Sequence, residues 1–179
     1  MKVVVYSPTF FPPVIDGTSI QAAREVKLLS AQHKVYGITY TVNREIKEID
    51  LEGCDDGIER IKPDYSKSSK GRFHQLGGNR VLKRIKEIKP EVIGIRGWYQ
   101  LNVVNRIIDN FATRTRVYWH ADGLHECHEN FKDMYNYKFL IEKAIKLGIR
   151  FVVNSDEDID ILRGMGIDDD QIYKLPPIL

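Results

Sequence analysis

Four short segments of the sequence carry side chains that could bind a ligand or transfer a proton. They are Asp16-Gly17-Thr18, Arg96-Gly97, His120-Ala121-Asp122 and Asn154-Ser155. A carboxylate such as Asp122 can orient the imidazole of His120 for proton transfer or for binding sugar hydroxyls. The guanidinium of Arg96 suits phosphate. Free N–H groups at a helix start that follows a glycine such as Gly17 favour an anion; the alternative is a glycine that only permits the turn into the helix. We therefore predict one site formed by these four segments, with His120 as its catalytic residue.

The elements that must position this site are short apolar runs rich in Val, Ile and Tyr. Five runs are strong and two are weaker; they cover residues 2–7, 34–40, 91–95, 116–119 and 150–154, and residues 58–62 and 171–175. The strong runs are continuous rather than alternating, which is typical of parallel strands covered on both faces. Helical spacing fills several gaps between them, at residues 81–88, 101–111 and 140–147, whereas residues 63–79 are predicted to form a long loop.

Strands that alternate with helices predict an α/β fold, a doubly wound, Rossmann-like parallel sheet with helices on both faces. In such sheets ligands bind beyond the carboxyl ends of the strands. The four polar segments each follow a predicted strand, so we expect them to converge on one rim. At 179 residues, the chain is predicted to be one domain.

Composition excludes several protein classes. The chain has a net charge of +2, with 42% hydrophobic and 29% charged residues, which is not the composition of a collagen, a coiled coil or a disordered protein. No apolar run approaches the ~20 residues of a membrane span. Its two cysteines, Cys54 and Cys127, lie far apart, which fits a reducing cytoplasm rather than a disulfide scaffold.

Familiar catalytic motifs are missing from the sequence. It has no dinucleotide fingerprint, no phosphate-cradling loop and no serine nucleophile elbow, so hydride transfer with a nicotinamide cofactor is not favoured. His125 and His128 are three residues apart rather than the four of a zinc protease. We therefore predict no metal site and no cofactor held by this domain.

Residues 59–89 are strongly basic. This stretch has ten basic and three acidic side chains, a net charge of +7, which leaves −5 for the rest of the chain. The asymmetry predicts an anionic partner such as an acidic acceptor or a lipid surface, contacted by Arg72, Arg80, Lys83 and Arg84; the alternative is a solvated helix face. Few aromatic residues lie among the basic ones, so nucleic acid is not an expected partner.

At three segments the sequence resembles the N-terminal domain of a GT-B retaining glycosyltransferase, of glycosyltransferase family 4. Residues 3–39 are similar to that family's first strand, glycine loop at Asp16-Gly17, first helix and second strand introduced by His33. Residues 117–122 resemble a strand that ends in a histidine. Residues 151–177 resemble the stretch that leads into the interdomain hinge.

The resemblance implies the acceptor-binding half of a two-domain hexosyltransferase whose product keeps the anomeric configuration of the nucleotide-sugar donor. It implies a second, donor-binding domain that this sequence lacks, no required metal, and no transfer by this half alone. Gly17 would lie near the donor diphosphate, and His120 would contact the transferred sugar, with Asn154 and Ser155 at the same rim. The acceptor could be a sugar, a lipid or a protein, and an anionic membrane surface could hold the domain.

A second hypothesis remains open beside this one. A Rossmann-like or flavodoxin-like domain without transfer chemistry could serve as a binding or regulatory module for an anionic partner. The basic stretch favours that hypothesis, whereas the convergence of polar residues behind the strands favours the enzyme.

Overall fold

The computed structural model describes residues 1–8, 17–40, 58–61, 70–97, 101–121, 124 and 135–175. Strands in this part of the chain are Lys2–Ser7 (β1), Lys34–Tyr40 (β2), Ile58–Ile61 (β3), Val92–Arg96 (β4), Arg116–His120 (β5), Arg150–Val153 (β6) and Ile172–Lys174 (β7). Helices are Gly17–Ser30 (α1), Lys70–Ile88 (α2), Leu101–Phe111 (α3), Tyr135–Lys146 (α4) and Asp156–Gly164 (α5), and a 3-10 turn spans Asp169–Gln171.

The strands form one sheet in the order β3-β2-β1-β4-β5-β6-β7, and every neighbouring pair is parallel. The chain leaves β1 towards β2 and β3, and then returns to the other side of β1 to build β4 to β7. The order therefore reverses between β1 and β4, which is where such sheets open a ligand crevice. The predicted doubly wound, Rossmann-like parallel sheet is confirmed.

The helices divide between the two faces of the sheet. The α2, α3, α4 and α5 helices pack on one face, where apolar side chains of β4, β5 and β6 form the main core: Ile93, Ile95, Trp119, Phe151 and Val153. Trp119 stacks on Phe151 with ring centroids 5.8 Å apart, and its indole N–H donates to the carbonyl of Gly97 at 2.9 Å. On the other face α1 packs through Ala22 and Val26 against β1.

The predicted loop at 63–79 is wrong for its second half, because α2 already begins at Lys70. The pattern indicated a loop since glycines usually weaken helices. Gly78 instead lies where α2 approaches α3: a β-carbon there would come within 3.2 Å of the Arg106 guanidinium and 3.5 Å of Val103. Close packing of the two helices thus outweighs the low helix propensity of glycine.

The predicted ends of α2, α3 and α4 agree with the structure to within one residue, whereas α4 begins at Tyr135 rather than near residue 140. The α4 helix ends before Gly148, which has a φ of 64°, and Ile149 N–H donates to the Ala144 carbonyl in the arrangement of a Schellman cap. The α1 helix begins at Gly17, so the predicted phosphate-binding glycine is the first residue of a helix. Among the described residues, no helix is long and apolar enough to cross a membrane.

Candidate functional site

The parallel sheet brings the carboxyl ends of its strands to one edge, and we call the ends of β1, β4, β5 and β6 the carboxyl rim. Arg96 and His120 are the last residues of β4 and β5 and are direct neighbours in the β4–β5 register. Asn154 follows β6, and it lines the same cavity as Arg96 and His120. The structure therefore brings together three of the residues predicted for the site.

Gly17 lies at the same edge by topology. A helix that follows β1 and returns the chain to a parallel β2 must begin near the carboxyl end of β1, so the first turn of α1 faces the carboxyl rim. The N–H groups of that turn have no partner within the helix, as at any helix start. Asp16, Asp122 and the side chain of Thr18 lie outside the described residues, so their roles stay predictions.

Ser155 is the N-cap of α5. Its backbone is extended, with φ −128° and ψ 162°, and its hydroxyl oxygen accepts a hydrogen bond from Asp158 N–H at 3.1 Å. This contact satisfies one of the helix's free donors and fixes how α5 leaves β6. A ligand contact by Ser155 stays a prediction alongside this capping role.

A buried carboxylate organises the polar side of the rim. Glu25, in the third turn of α1, is 4% exposed and forms an ion pair with Arg96, which is 2% exposed. The Arg96 Nε–H donates to one carboxylate oxygen, and the Tyr118 hydroxyl donates to the other at 2.6 Å. One side chain of α1 thus joins the helix to β4 and β5, and the guanidinium predicted to bind phosphate already has a carboxylate partner.

His120 belongs to the same cluster. Its Nε2 atom lies 3.6 Å from a Glu25 carboxylate oxygen, within ion-pair distance but beyond hydrogen-bond distance. Its ring meets the Tyr118 ring edge-to-face, with centroids 5.3 Å apart and a 70° angle. His120 is 7% exposed and lines a cavity together with Arg96 and Asn154.

The position of Tyr118 depends on a glycine. A β-carbon at Gly94 would lie 2.4 Å from the Tyr118 hydroxyl, so only glycine lets the phenol lie across β4 towards Glu25. Burial, reinforced by the negative charge of Glu25, raises the pKa of Tyr118 well above its ordinary value. The phenol therefore keeps its proton at neutral pH and remains a hydrogen-bond donor.

The cavity is a groove of about 650 Å³ that runs along the sheet beside α1. We call it the sheet groove; its walls are mainly apolar and are formed by Leu28, Leu29, Val92, Val117, Val152, Tyr173 and Leu175. His120 and Asn154 lie at its carboxyl-rim end. Arg116 and Arg150, the first residues of β5 and β6, lie at the opposite end.

Sequence reasoning missed Glu25 and Tyr118. The signal for Glu25 was present, because it shares the helical face of Ala22, Val26 and Leu29, which pack on the sheet. A carboxylate in an apolar stripe needs a buried partner. Tyr118 lies inside a run interpreted as strand core, and nothing in the local pattern distinguishes a phenol that carries a buried hydrogen bond from a packing residue.

One residue of the basic stretch, Arg84, forms an ion pair that joins two elements of the fold. Arg84 of α2 forms a bidentate pair with Glu59 of β3 at 2.5 and 2.6 Å and also contacts Glu87. These hydrogen bonds, with that to Glu59 the largest cause, raise the pKa of Arg84 further above its ordinary value. Arg80 and Lys83 are exposed, whereas the side chain of Arg72 lies outside the described residues. The predicted anionic contact by these residues stays a prediction.

The predicted absence of a metal is not tested by the structure. Within the described ranges no group of three or more His, Cys, Asp or Glu side chains could hold a metal ion. Residues 125–129, the histidine- and cysteine-containing stretch, fall outside those ranges.

Several solved structures have the same architecture. The chain superposes on UDP-N-acetylglucosamine 2-epimerase from Rickettsia bellii with a TM-score of 0.70 at 10% identity, over 99% of this chain and 45% of that one. These neighbours have the GT-B fold. The same enzyme from Neisseria meningitidis, bound to UDP-GlcNAc, gives 0.66 at 14% identity, over 97% of this chain and 46% of that one.

A plant protein extends the likeness. Arabidopsis thaliana UGT89C1, complexed with UDP-L-rhamnose, gives a TM-score of 0.59 at 12% identity, over 99% of this chain and 49% of that one. The chain spans about half the length of each of these neighbours. Neither a protein-family model nor a curated protein sequence matches it. At such low identities the neighbours establish the fold of the sheet and its helices alone.

Proposed function

We propose that this chain is the acceptor-side half of a retaining glycosyltransferase, which transfers a hexosyl group from a nucleotide sugar to an acceptor. The observation that carries the proposal is the meeting of Arg96, His120 and Asn154 in one cavity, at the edge where α1 begins with Gly17. In support, two neighbours of the same fold are bound to UDP-GlcNAc and UDP-L-rhamnose.

Each residue has a proposed role. The N–H groups at Gly17 would approach the donor diphosphate, since a helix start favours an anion. His120 would contact the transferred sugar, and Asn154 would bind a hydroxyl beside it. Arg96 would act through Glu25 rather than on phosphate directly, because its guanidinium is buried in that ion pair. No metal is required in this proposal, and a donor-binding second half would close the cleft.

Sugar transfer by the longest natural reading frame that contains this chain tests the proposal. We expect turnover of a common nucleotide sugar with retention of anomeric configuration. His120→Ala should lower the rate by ~10²–10⁴-fold if the imidazole handles a proton. Lys146→Ala, at an exposed position of α4, is the matched control and should leave the rate unchanged. The 179-residue chain alone should not transfer sugar, because positioning two substrates needs both walls of the cleft.

Absence of turnover with all common nucleotide sugars would contradict the proposal. So would a His120→Ala enzyme as active as the parent. Inversion of the anomeric configuration would contradict the retaining assignment alone.

A second candidate is a non-catalytic module that binds an anionic partner. Exposed Lys83 and Lys86 of α2 favour it, since they line a recess shared with Arg106 of α3. Binding to phosphatidylserine vesicles that weakens with salt, and that Lys83→Glu abolishes, would support this candidate. Arg84→Glu is unsuitable for that test because it would also break the pair with Glu59.

A further inference from the structure

The sheet groove has the size and lining of a ligand site. Its volume of about 650 Å³ lies within the ~300–1,000 Å³ of typical small-molecule pockets. The described residues leave five large apolar side chains exposed. Three of them line this groove: Leu28 at 61%, Leu175 at 50% and Tyr173 at 43% exposed. Exposed apolar side chains that cluster in one place on a protein surface mark a binding site more often than chance. The groove therefore suits an apolar ligand.

The groove ends in positive charge. Arg116 and Arg150 begin the neighbouring strands β5 and β6, and both line the groove at the edge opposite the carboxyl rim. The Arg150 guanidinium lies 5.6 Å above the Tyr173 ring. Neither arginine forms an ion pair with a carboxylate of the described residues. Both also line an adjoining recess with Arg114, so the two arginines lie between the groove and that recess.

The two ends of the groove are separated by the length of β5. Four residue steps from Arg116 to His120 correspond to ~13 Å at ~3.3 Å per residue. A ligand whose anionic group contacts the arginines and whose apolar body lies along β5 and β6 would present its far end to His120 and Asn154. A hydroxyl at that far end would be placed at the carboxyl rim.

We propose that the sheet groove binds an amphipathic anion of the long-chain hydroxy-acid type, with its carboxylate on Arg116 and Arg150. Charge complementarity favours an anionic head group, the exposed apolar lining favours an apolar body, and the length of β5 sets the ~13 Å between the anionic group and the hydroxyl. That this ligand is the sugar acceptor rests on the proposed function. The binding itself does not.

Isothermal titration of the 179-residue chain with 12-hydroxydodecanoate, below its micelle concentration, tests the inference. We expect saturation at one molecule per chain. Arg150→Ala should weaken binding by ~10-fold or more, because a hydrogen bond to a charged group contributes ~1.5–3 kcal/mol. Lys146→Ala removes an exposed cation of α4 outside the groove and should leave the affinity unchanged. Two further probes check the head group: 1-dodecanol should bind at least ~10-fold more weakly, and dodecyl phosphate no more tightly.

A second pair of variants tests the apolar body. Leu28→Glu places a charge on the groove wall at an exposed position and should abolish binding, whereas Phe139→Glu on exposed α4 should not. Circular dichroism of all four variants checks that they remain folded. No saturable binding, binding at several sites, or equal binding by the Leu28→Glu chain would overturn the inference. Tighter binding of dodecyl phosphate would overturn the carboxylate assignment. A negative result here leaves nucleotide-sugar transfer, which is measured separately, untouched.

Discussion

The two faces of strands β4, β5 and β6 differ in a way that locates function. On the face covered by α2 to α5, the side chains are Ile93, Ile95, Trp119, Phe151 and Val153, and all are buried among apolar neighbours. On the other face Arg96, Tyr118, His120 and Val152 line the sheet groove, and Gly94 lies against the Tyr118 ring. Successive residues of a strand point to opposite faces.

One sheet thus has an apolar packed face and a face that carries a polar cluster. The covered face gains its stability from close packing of large apolar side chains. The groove face carries a buried ion pair, a phenol and an imidazole held together by Glu25. Buried ion pairs contribute little net stability, so the polar cluster on the groove face adds less to the stability of the fold than the apolar packing on the covered face.

Truncation of Trp119 should cause the greatest loss of stability, because this side chain lies fully buried in the packed face. Trp119→Ala should lower the free energy of unfolding by ~3–5 kcal/mol, because it removes the stacking on Phe151 and the hydrogen bond to Gly97. Tyr173→Ala on the groove face should cost no more than ~1 kcal/mol, since it loses only an exposed ring beneath Arg150. Urea unfolding measures both. Equal losses would contradict the difference between the faces.

Glu25 provides the next test, on the groove face. Glu25→Leu leaves the Arg96 charge buried without its carboxylate and should cost ~3 kcal/mol. The double variant Glu25→Leu with Arg96→Met should recover most of that loss, because it removes both charges. A double-mutant cycle by urea unfolding reports the coupling. Strictly additive losses would show that the pair does not organise this face.

Gly94 tests how the phenol is positioned. A methyl group added by Gly94→Ala would overlap the Tyr118 ring and should cost ~1–3 kcal/mol as the ring is displaced from Glu25. Gly164→Ala, at a position with no neighbour within 4 Å of the added carbon, is the matched control and should be neutral or slightly stabilising. If thermal unfolding shows the two variants to be alike, the phenol is not confined by β4.

The smallest effect concerns pH. The raised pKa of Tyr118 means that the folded chain holds this proton more tightly than the unfolded chain, whose tyrosines titrate near pH ~10. The resulting stability is fully present below pH ~10 and is lost as the pH rises towards the folded-state value. The free energy of unfolding, measured from pH 8 to pH 11, should therefore fall more steeply for the parent chain than for Tyr118→Phe. Parallel curves would contradict the burial of this hydroxyl.

Much of the sheet could be predicted from sequence because parallel strands covered on both faces appear as continuous apolar runs. The runs at 2–7 and 34–40 match the observed strands, and the other strands differ by one or two residues at their ends. The first half of α2 could not be predicted, because at Gly78 it packs close to α3, a partner distant in sequence.

The candidate site was only half accessible to sequence reasoning. His120, Arg96 and Asn154 were found because each follows an apolar run. Glu25 was missed because helical periodicity shows which face of the helix a residue occupies but not which side chain of the sheet lies opposite it. The two arginines at the other end of the sheet groove were missed because they begin strands, whereas ligands are expected beyond the carboxyl ends of strands.

In the proposed function, a sugar nucleotide binds this chain at the carboxyl rim, where Gly17 and His120 lie. The most direct measurement is a ¹⁵N NMR titration of the 179-residue chain with UDP, with uridine as the matched control lacking the diphosphate. We predict that the amides of Gly17, Gly97, Ala121 and Asn154 shift together with UDP and not with uridine. Shifts confined to α2, or none at these four amides at millimolar UDP, would contradict the claim.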